Sequence, residues 1–168
     1  MAPKVTAIGA VSFFCPGIPR PQGSKQPWRS PAGRLLMVEA SRGLKPWRDS
    51  IVAAGLAARA EQQGWPVQLN GFSVRIASLV FALARPPSHL LKSGGIAPGA
   101  PVRPRVAPDA DKLARAVFDA LTGVLWHDDA QVVSVERLCK VYTRDTPGMF
   151  LNAVVLEKQP HADVALEG

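Results

Sequence analysis

The sequence predicts an α/β (α+β) protein: a small mixed β-sheet flanked by helices, with its elements in the order β-α-β-α-β-β. Two patterns predict this class. Apolar runs rich in β-branched and aromatic residues recur along the chain, and two segments between them repeat apolar residues every three or four positions. With 168 residues, of which 47% are hydrophobic and 20% charged, the chain is long enough for a sizeable core. Residues 1–168 are therefore predicted to form a single domain.

The first half of the chain predicts a strand, a basic loop, a helix and a second strand. Residues 5–15 are apolar and rich in strand formers, whereas the prolines and glycines of residues 16–37 argue against regular structure there. Residues 38–63 place apolar side chains at helical spacing, although Pro46 should start or kink the helix. Residues 72–84 alternate as a strand does.

The second half begins with another basic loop, residues 85–108, and continues with a helix over about 112–123. Six apolar residues form one face of this helix: Leu113, Ala116, Val117, Ala120, Leu121 and Val124. Asp111 is placed to cap its start, and Asp119 is expected to pair with Arg115 on its surface. The remaining segments are two predicted strands and a flexible tail: residues 130–142, 150–156 and about 159–168.

The charge of the chain is unevenly distributed. Residues 1–108 carry 14 Lys and Arg against three Asp and Glu, and residues 109–168 carry six against ten, for a net charge of +7. A half this basic is typical of a protein that meets nucleic acid or an anionic surface. A charge spread over the surface for solubility would give the same composition, so charge alone leaves both interpretations open.

The cysteines and the apolar runs indicate a cytoplasmic protein. Cys15 and Cys139 lie within apolar segments, as expected for reduced, buried thiols. The longest apolar run is too short to span a bilayer. The N-terminal segment lacks the charged start and the cleavage site of a signal peptide.

Five aspartates gather between residues 108 and 129 of this basic chain. Asp109 and Asp111 lie at the start of the predicted helix, and Asp128 and Asp129 follow its end. If the next strand returns along the sheet, three carboxylates converge into a hard-oxygen site suited to Mg²⁺, with Mn²⁺ as a substitute. The alternative is structural, because an aspartate can also cap a helix, favour its dipole or form a solvated turn.

The segment DADKLARAVFDALTGVLWHDDAQVV, residues 109–133, resembles the signature of the RusA family of Holliday-junction resolvases, small endodeoxyribonucleases common in phages and prophages. The shared features are an Asp-x-Asp pair opening a helix, a basic residue four positions after the second Asp, a Phe-Asp-Ala-Leu run, and Asp-Asp-x-Gln-Val leading into a strand. The likeness is close over about residues 108–142 and looser over the elements before them.

The resemblance implies which residues carry the chemistry. The family's functional lysine falls at Arg115, which keeps the positive charge but not the compact ammonium. Lys112 stands where the type member has asparagine and is expected, with Arg115, to serve the phosphate or to order the carboxylates. The implied metal ligands are three aspartates, with a fourth as a weaker candidate: Asp109, Asp111 and Asp129, then Asp128.

The resemblance also implies a homodimer that receives a four-way DNA junction and makes paired nicks with its two active sites. No membrane partner and no small organic cofactor are expected. Phosphate contacts are predicted at six basic residues: Arg20, Lys25, Arg29, Arg34, Lys112 and Lys140. Such contacts hold DNA without reading its sequence. Trp28 could stack on an opened junction or could pack onto the domain.

The leading hypothesis is therefore a Mg²⁺-dependent, structure-selective endonuclease. Two alternatives stay open at this point: a basic protein that binds DNA without cutting it, and a metal-dependent nuclease without junction selectivity. Loss of cleavage with retention of junction binding in Asp129→Asn would separate the nuclease from the binder. The sequence does not distinguish recombination, repair and genome packaging as the setting.

Overall fold

The computed structural model describes residues 6–23, 25–39, 42–62 and 64–157. The strands are β1 (Ala7–Pro16), β2 (Lys25–Arg29), β3 (Leu35–Glu39), β4 (Ser73–Ala84), β5 (Val132–Val135), β6 (Leu138–Thr143) and β7 (Gly148–Leu156). The helices are α1 (Leu44–Glu61) and α2 (Ala110–Leu121), with short 3₁₀ turns at Pro87–His89 and Asp129–Gln131. The predicted mixed α and β class is confirmed. The predicted tail at about 159–168 lies outside the described residues.

One mixed sheet organises the protein. β7 lies between β1 and β4 and is antiparallel to both, while β5 and β6 run parallel to the other side of β4. β5 and β6 are separated by Glu136 and Arg137, whose backbones still bond to β4 at 2.9 and 2.8 Å. The single strand predicted over residues 130–142 is therefore two strands, and the 3₁₀ turn takes up its first residues.

The core lies between the sheet and the two helices. All six predicted apolar residues of α2 are buried, which confirms the periodicity. They join Trp47 and Ile51 of α1, and alternate residues of the sheet such as Val11, Phe81 and Leu151, in one hydrophobic cluster. Gly55 lets the helices approach closely, since a Cβ there would lie 2.7 Å from Leu121 Cδ2. Neither α1 nor α2, the two α-helices of the described ranges, packs on the opposite face of the sheet.

The first basic loop contains regular structure that the sequence analysis excluded. β2 and β3 form a two-stranded antiparallel sheet across a turn at residues 30–34, where Gly33 has a φ of 79°. Pro27 is compatible with this hairpin because each strand has a partner on one side only, so a missing N–H can face outward. The prediction of an irregular loop over residues 16–37 is wrong for this part.

Helix α1 is shorter than the predicted segment of residues 38–63. It begins at Leu44 and ends at Glu61, because residues 38–39 belong to β3. Pro46 lies in the first turn, where backbone N–H groups have no partner within the helix, so it is tolerated without a kink. No helix in the described ranges has the length and hydrophobicity that crossing a membrane requires.

Candidate active site and nucleic-acid interface

The start of α2 and the turn before β5 face one pocket. Asp111 lies in the first turn of α2, and Asp129 is the first residue of the 3₁₀ turn. Both line a pocket of about 460 Å³ that Lys112 and Arg115 also line. The other lining residues are Gln22, Ala114, Phe118, Val135 and Leu138. The return of the chain from α2 to the sheet thus brings two of the predicted carboxylates to the same pocket.

Asp109 has a different environment. It occupies the N-cap position of α2, for which the sequence predicted Asp111, but its side chain makes no capping hydrogen bond. Instead its Oδ2 lies 2.9 Å from Lys112 Nζ. The hydrogen bond and charge of Lys112, aided by the charge of Lys140, lower the pKa of Asp109, and the same pairing raises the pKa of Lys112. The ammonium of Lys112 is therefore the counter-ion of the Asp109 carboxylate.

Asp111 and Asp129 have the properties expected of metal ligands. Both are exposed, and neither carboxylate accepts a hydrogen bond from the described part of the chain. Mg²⁺ is commonly held through one or two carboxylates and several waters, so this pair fits a divalent cation. Among the residues that the structure describes, no group of three His, Cys, Asp or Glu side chains is arranged to hold a metal ion. The joining of Asp109 as a third ligand stays a prediction.

Gln131 fixes the acidic turn, a role that the sequence analysis missed. Its Oε1 accepts hydrogen bonds from the backbone N–H groups of His127 and Asp128, and its Nε2 donates to the carbonyls of Leu69 and Phe72, both at 2.7 Å. Asp128 caps the turn by accepting from Ala130 N at 2.8 Å, so its carboxylate has a structural partner. The glutamine of the Asp-Asp-x-Gln motif was the sequence feature from which this role could have been predicted.

Lys140, predicted to contact DNA phosphate, has two partners within the protein. Its Nζ donates to the carbonyl oxygens of Val106 and Pro108, each at 2.8 Å. Pro108 directly precedes Asp109. The side chain therefore links β6 to the segment that enters α2.

The predicted surface pair of Asp119 with Arg115 is wrong. The Asp119 carboxylate accepts a hydrogen bond from Gln22 Nε2, because the loop after β1 passes over the middle of α2. A backbone bond from Gln22 N to Lys112 O at 3.0 Å fixes the same loop. Arg115 is left exposed, without an ion pair in the described ranges, and it faces the pocket of Asp111 and Asp129.

The predicted DNA-contacting residues divide into two environments. Arg29 ends β2 and Arg34 follows the turn, and both are exposed. Trp28 is also exposed, at 49%, so it is not a core residue. Arg20 is half-buried and lines a separate apolar pocket with several prolines. The side chain of Lys25 lies outside the described residues.

Comparison with known proteins gives one family match. The family described as Endodeoxyribonuclease RusA matches residues 20–152. The chain belongs to the RusA family. None of the curated proteins compared with the chain matches it. The family match covers β2 through most of β7, and so it includes the basic hairpin, the aspartates and Lys140.

Membership defines the general activity. RusA proteins are endodeoxyribonucleases that resolve Holliday junctions and generally depend on a divalent metal, so this chain is a nuclease of branched DNA.

Proposed function

We propose that this RusA-family protein resolves four-way DNA junctions by Mg²⁺-dependent, paired phosphodiester hydrolysis. One observation carries the proposal: two carboxylates and two cationic side chains share a single pocket in a protein whose net charge is +7, and the carboxylates accept no hydrogen bond from the residues that the structure describes. A carboxylate pair suits a hard cation, and cationic side chains suit the phosphate that is to be cut.

The pocket residues are proposed to have two roles, metal binding and phosphate binding. Asp111 and Asp129 would hold the cation, and Asp109 would join them if Lys112 released it. A bound divalent cation supplies charge neutralisation at the scissile phosphate and activation of water. Arg115 and Lys112, which line the same pocket from α2, would contact the phosphate oxygens: Arg115 offers a planar pair of donors and Lys112 a point charge.

The β2–β3 hairpin, which begins three residues after the pocket residue Gln22, is proposed to bind the DNA. Arg29 and Arg34 are exposed on it and present charge to phosphates without reading sequence. Trp28, an exposed residue of β2, offers a flat surface for an unpaired base. Lys112 adds positive charge at the pocket, and phosphate contacts by Arg20 and Lys25 stay predictions.

The homodimer that paired cutting needs is proposed to form through the helix-free face of the sheet. Phe14, Phe150, Val80 and Cys139 stand in direct register across β1, β7, β4 and β6. Phe14 and Phe150 are 45% and 37% exposed, whereas their strand neighbours Cys15 and Met149 are buried on the helical side. A second copy is the partner that fits this row, because contact there leaves the carboxylate pocket of each copy open.

The test is incubation of the protein with a synthetic mobile four-way junction, with and without Mg²⁺. We expect paired, symmetric nicks that require the metal and are absent from a duplex of equal length. Mn²⁺ should replace Mg²⁺, whereas Ca²⁺ should support binding with little cutting. Equal cutting of duplex and junction would contradict junction selectivity.

Substitutions connect the activity to the pocket. Asp129→Asn and Asp111→Asn should each lower the cleavage rate by about 100-fold or more while junction affinity is retained, because only metal binding is impaired. Asp145→Asn, at an exposed turn outside the pocket, is the matched control and should cut normally. Undiminished cutting by Asp129→Asn would remove this carboxylate from the mechanism.

A further inference from the structure

We propose that Lys140 is a positioning residue of the nuclease site, which holds residues 106–108 and thereby sets the place of Asp109. The inference rests on the proposed function. It replaces a phosphate contact, the role expected from the charge of Lys140, with a contact to the protein backbone.

The hydrogen bonds of Lys140 are directed at one segment. Its ammonium donates to Val106 O and Pro108 O, both at 2.8 Å, which uses two of its three donors. The side chain is half-buried, and its strand position is opposite Phe81, a core residue of β4. Lys140 therefore extends from the core side of the sheet toward the segment before α2.

The segment has few other hydrogen bonds that could fix it. Within the described part of the chain, every hydrogen bond of residues 102–108 goes to Lys140. Two of these residues, Pro104 and Pro108, have no N–H to donate. Without the ammonium, the segment would be held by packing, such as that of the buried Pro104, and by its covalent connection to α2.

The position of Asp109 follows from this anchor. Asp109 is the N-cap of α2 and is joined to Pro108 directly, so a shift of the Pro108 carbonyl moves the Asp109 backbone. The same shift should move Asp111 less, because Asp111 lies within the helix. A displacement of about 1 Å at a reacting centre can cost on the order of 100-fold in rate.

The test compares Lys140→Met with Lys140→Arg, and uses Lys45→Met as the control. Lys45 is an exposed lysine of α1 that pairs with Asp49, far from the segment in sequence. Three quantities are measured for each variant: backbone NMR order parameters without metal, junction affinity without metal, and the single-turnover cleavage rate with Mg²⁺.

We expect Lys140→Met to lower the backbone NMR order parameters of Val106, Ala107 and Asp109 to below about 0.6, while those of the strands stay near about 0.85. Its cleavage rate should fall on the order of 10- to 100-fold at unchanged junction affinity. Lys140→Arg keeps donors for both carbonyls and should recover most of the rate. Should Lys140→Met fail to fold, Lys140→Gln, which keeps an amide donor on a shorter side chain, takes its place.

Two results would overturn the proposal. Unchanged order parameters at these residues would show that Lys140 does not hold the segment. A loss of affinity, with a salt slope smaller by about one unit, would identify Lys140 as a phosphate contact instead. If the unaltered protein does not cut junctions, the proposed function fails, and the order parameters still decide whether Lys140 is an anchor.

Discussion

At the residue scale, Lys112 acts as a counter-ion for the carboxylate that the family signature assigns to the metal. Its ammonium holds Asp109 at 2.9 Å and lowers the pKa of that carboxyl. A lowered folded-state pKa contributes stability above the unfolded-state pKa, and this contribution is lost as the pH falls through the folded value. Both side chains are about half exposed, so solvent screens the pair and a cation can compete with Lys112 for the carboxylate.

Substitution of this lysine should therefore alter the titration of its partner. In Lys112→Met, the pKa of Asp109 should rise toward its ordinary range, because the largest cause of its lowering is removed. Carboxyl-carbon NMR titration of the metal-free protein measures this pKa. Lys45→Met removes an equivalent exposed charge from α1 and should leave the Asp109 titration unchanged. An Asp109 pKa that is the same with and without Lys112 would contradict the pairing.

At the element scale, the turn between α2 and β5 is held by one side chain. Gln131 takes part in four hydrogen bonds with backbone groups, two on the turn and two on the segment before β4. The short 3₁₀ turn therefore has a fixed place relative to the sheet. Asp129, its first residue, is directed into the pocket by this anchorage.

Loss of the anchor should affect stability and cleavage together. Gln131→Leu keeps a similar volume but removes the four bonds, and we expect the free energy of unfolding to fall by roughly 1–3 kcal/mol. We expect cleavage at a temperature where the variant is folded to fall roughly tenfold, with junction affinity retained. Urea denaturation and single-turnover kinetics measure the two effects.

Gln62→Leu is the matched control. Gln62 bridges the backbone of Ser12 at 3.2 and 3.1 Å, away from the pocket, so its loss should lower stability without changing the cleavage rate of the folded protein. Equal cleavage rates for the two folded variants would show that Gln131 has only a structural role.

At the scale of the whole molecule, the two faces of the sheet differ in what covers them. One face is buried under α1 and α2, beside which the carboxylate pocket opens. The other presents the apolar row of Phe14, Phe150, Val80 and Cys139. Exposed aromatic residues in one row are typical of an interface. In the proposed dimer, this division would let two copies associate while the carboxylate pocket of each stays accessible.

Phe150→Asp should separate the copies. A carboxylate at this position would be buried opposite its symmetry mate, so the dimer should dissociate and the paired nicks should become single nicks. Sedimentation measures the assembly, and a junction product analysis measures the pairing of the nicks. Leu56→Asp, an exposed apolar position on α1, is the control and should remain dimeric. A Phe150→Asp variant that stays dimeric would place the interface elsewhere.

The candidate site was predictable from the sequence to the extent that it follows from local patterns. The apolar periodicity of α2 predicted its buried face, because it depends on neighbours along the chain, whereas the spacing of the aspartates left open whether their carboxylates meet. The hairpin was missed because proline and glycine content reports only the local propensity for regular structure. The pairing of β2 with β3 depends on both strands together. The pairing of Asp119 with Arg115 was wrong because a loop distant in sequence supplied Gln22 instead.

The sequence by itself determined the mixed α and β class, the apolar face of α2 and the identity of the acidic residues. The tertiary structure alone decided which of those residues share a pocket. It brought Asp129 to Asp111 through the return of the chain to β5, paired Asp109 with Lys112, and directed Lys140 to the segment before α2. The physical reason is that helix periodicity arises from contacts within a few residues, whereas these placements depend on packing between distant elements.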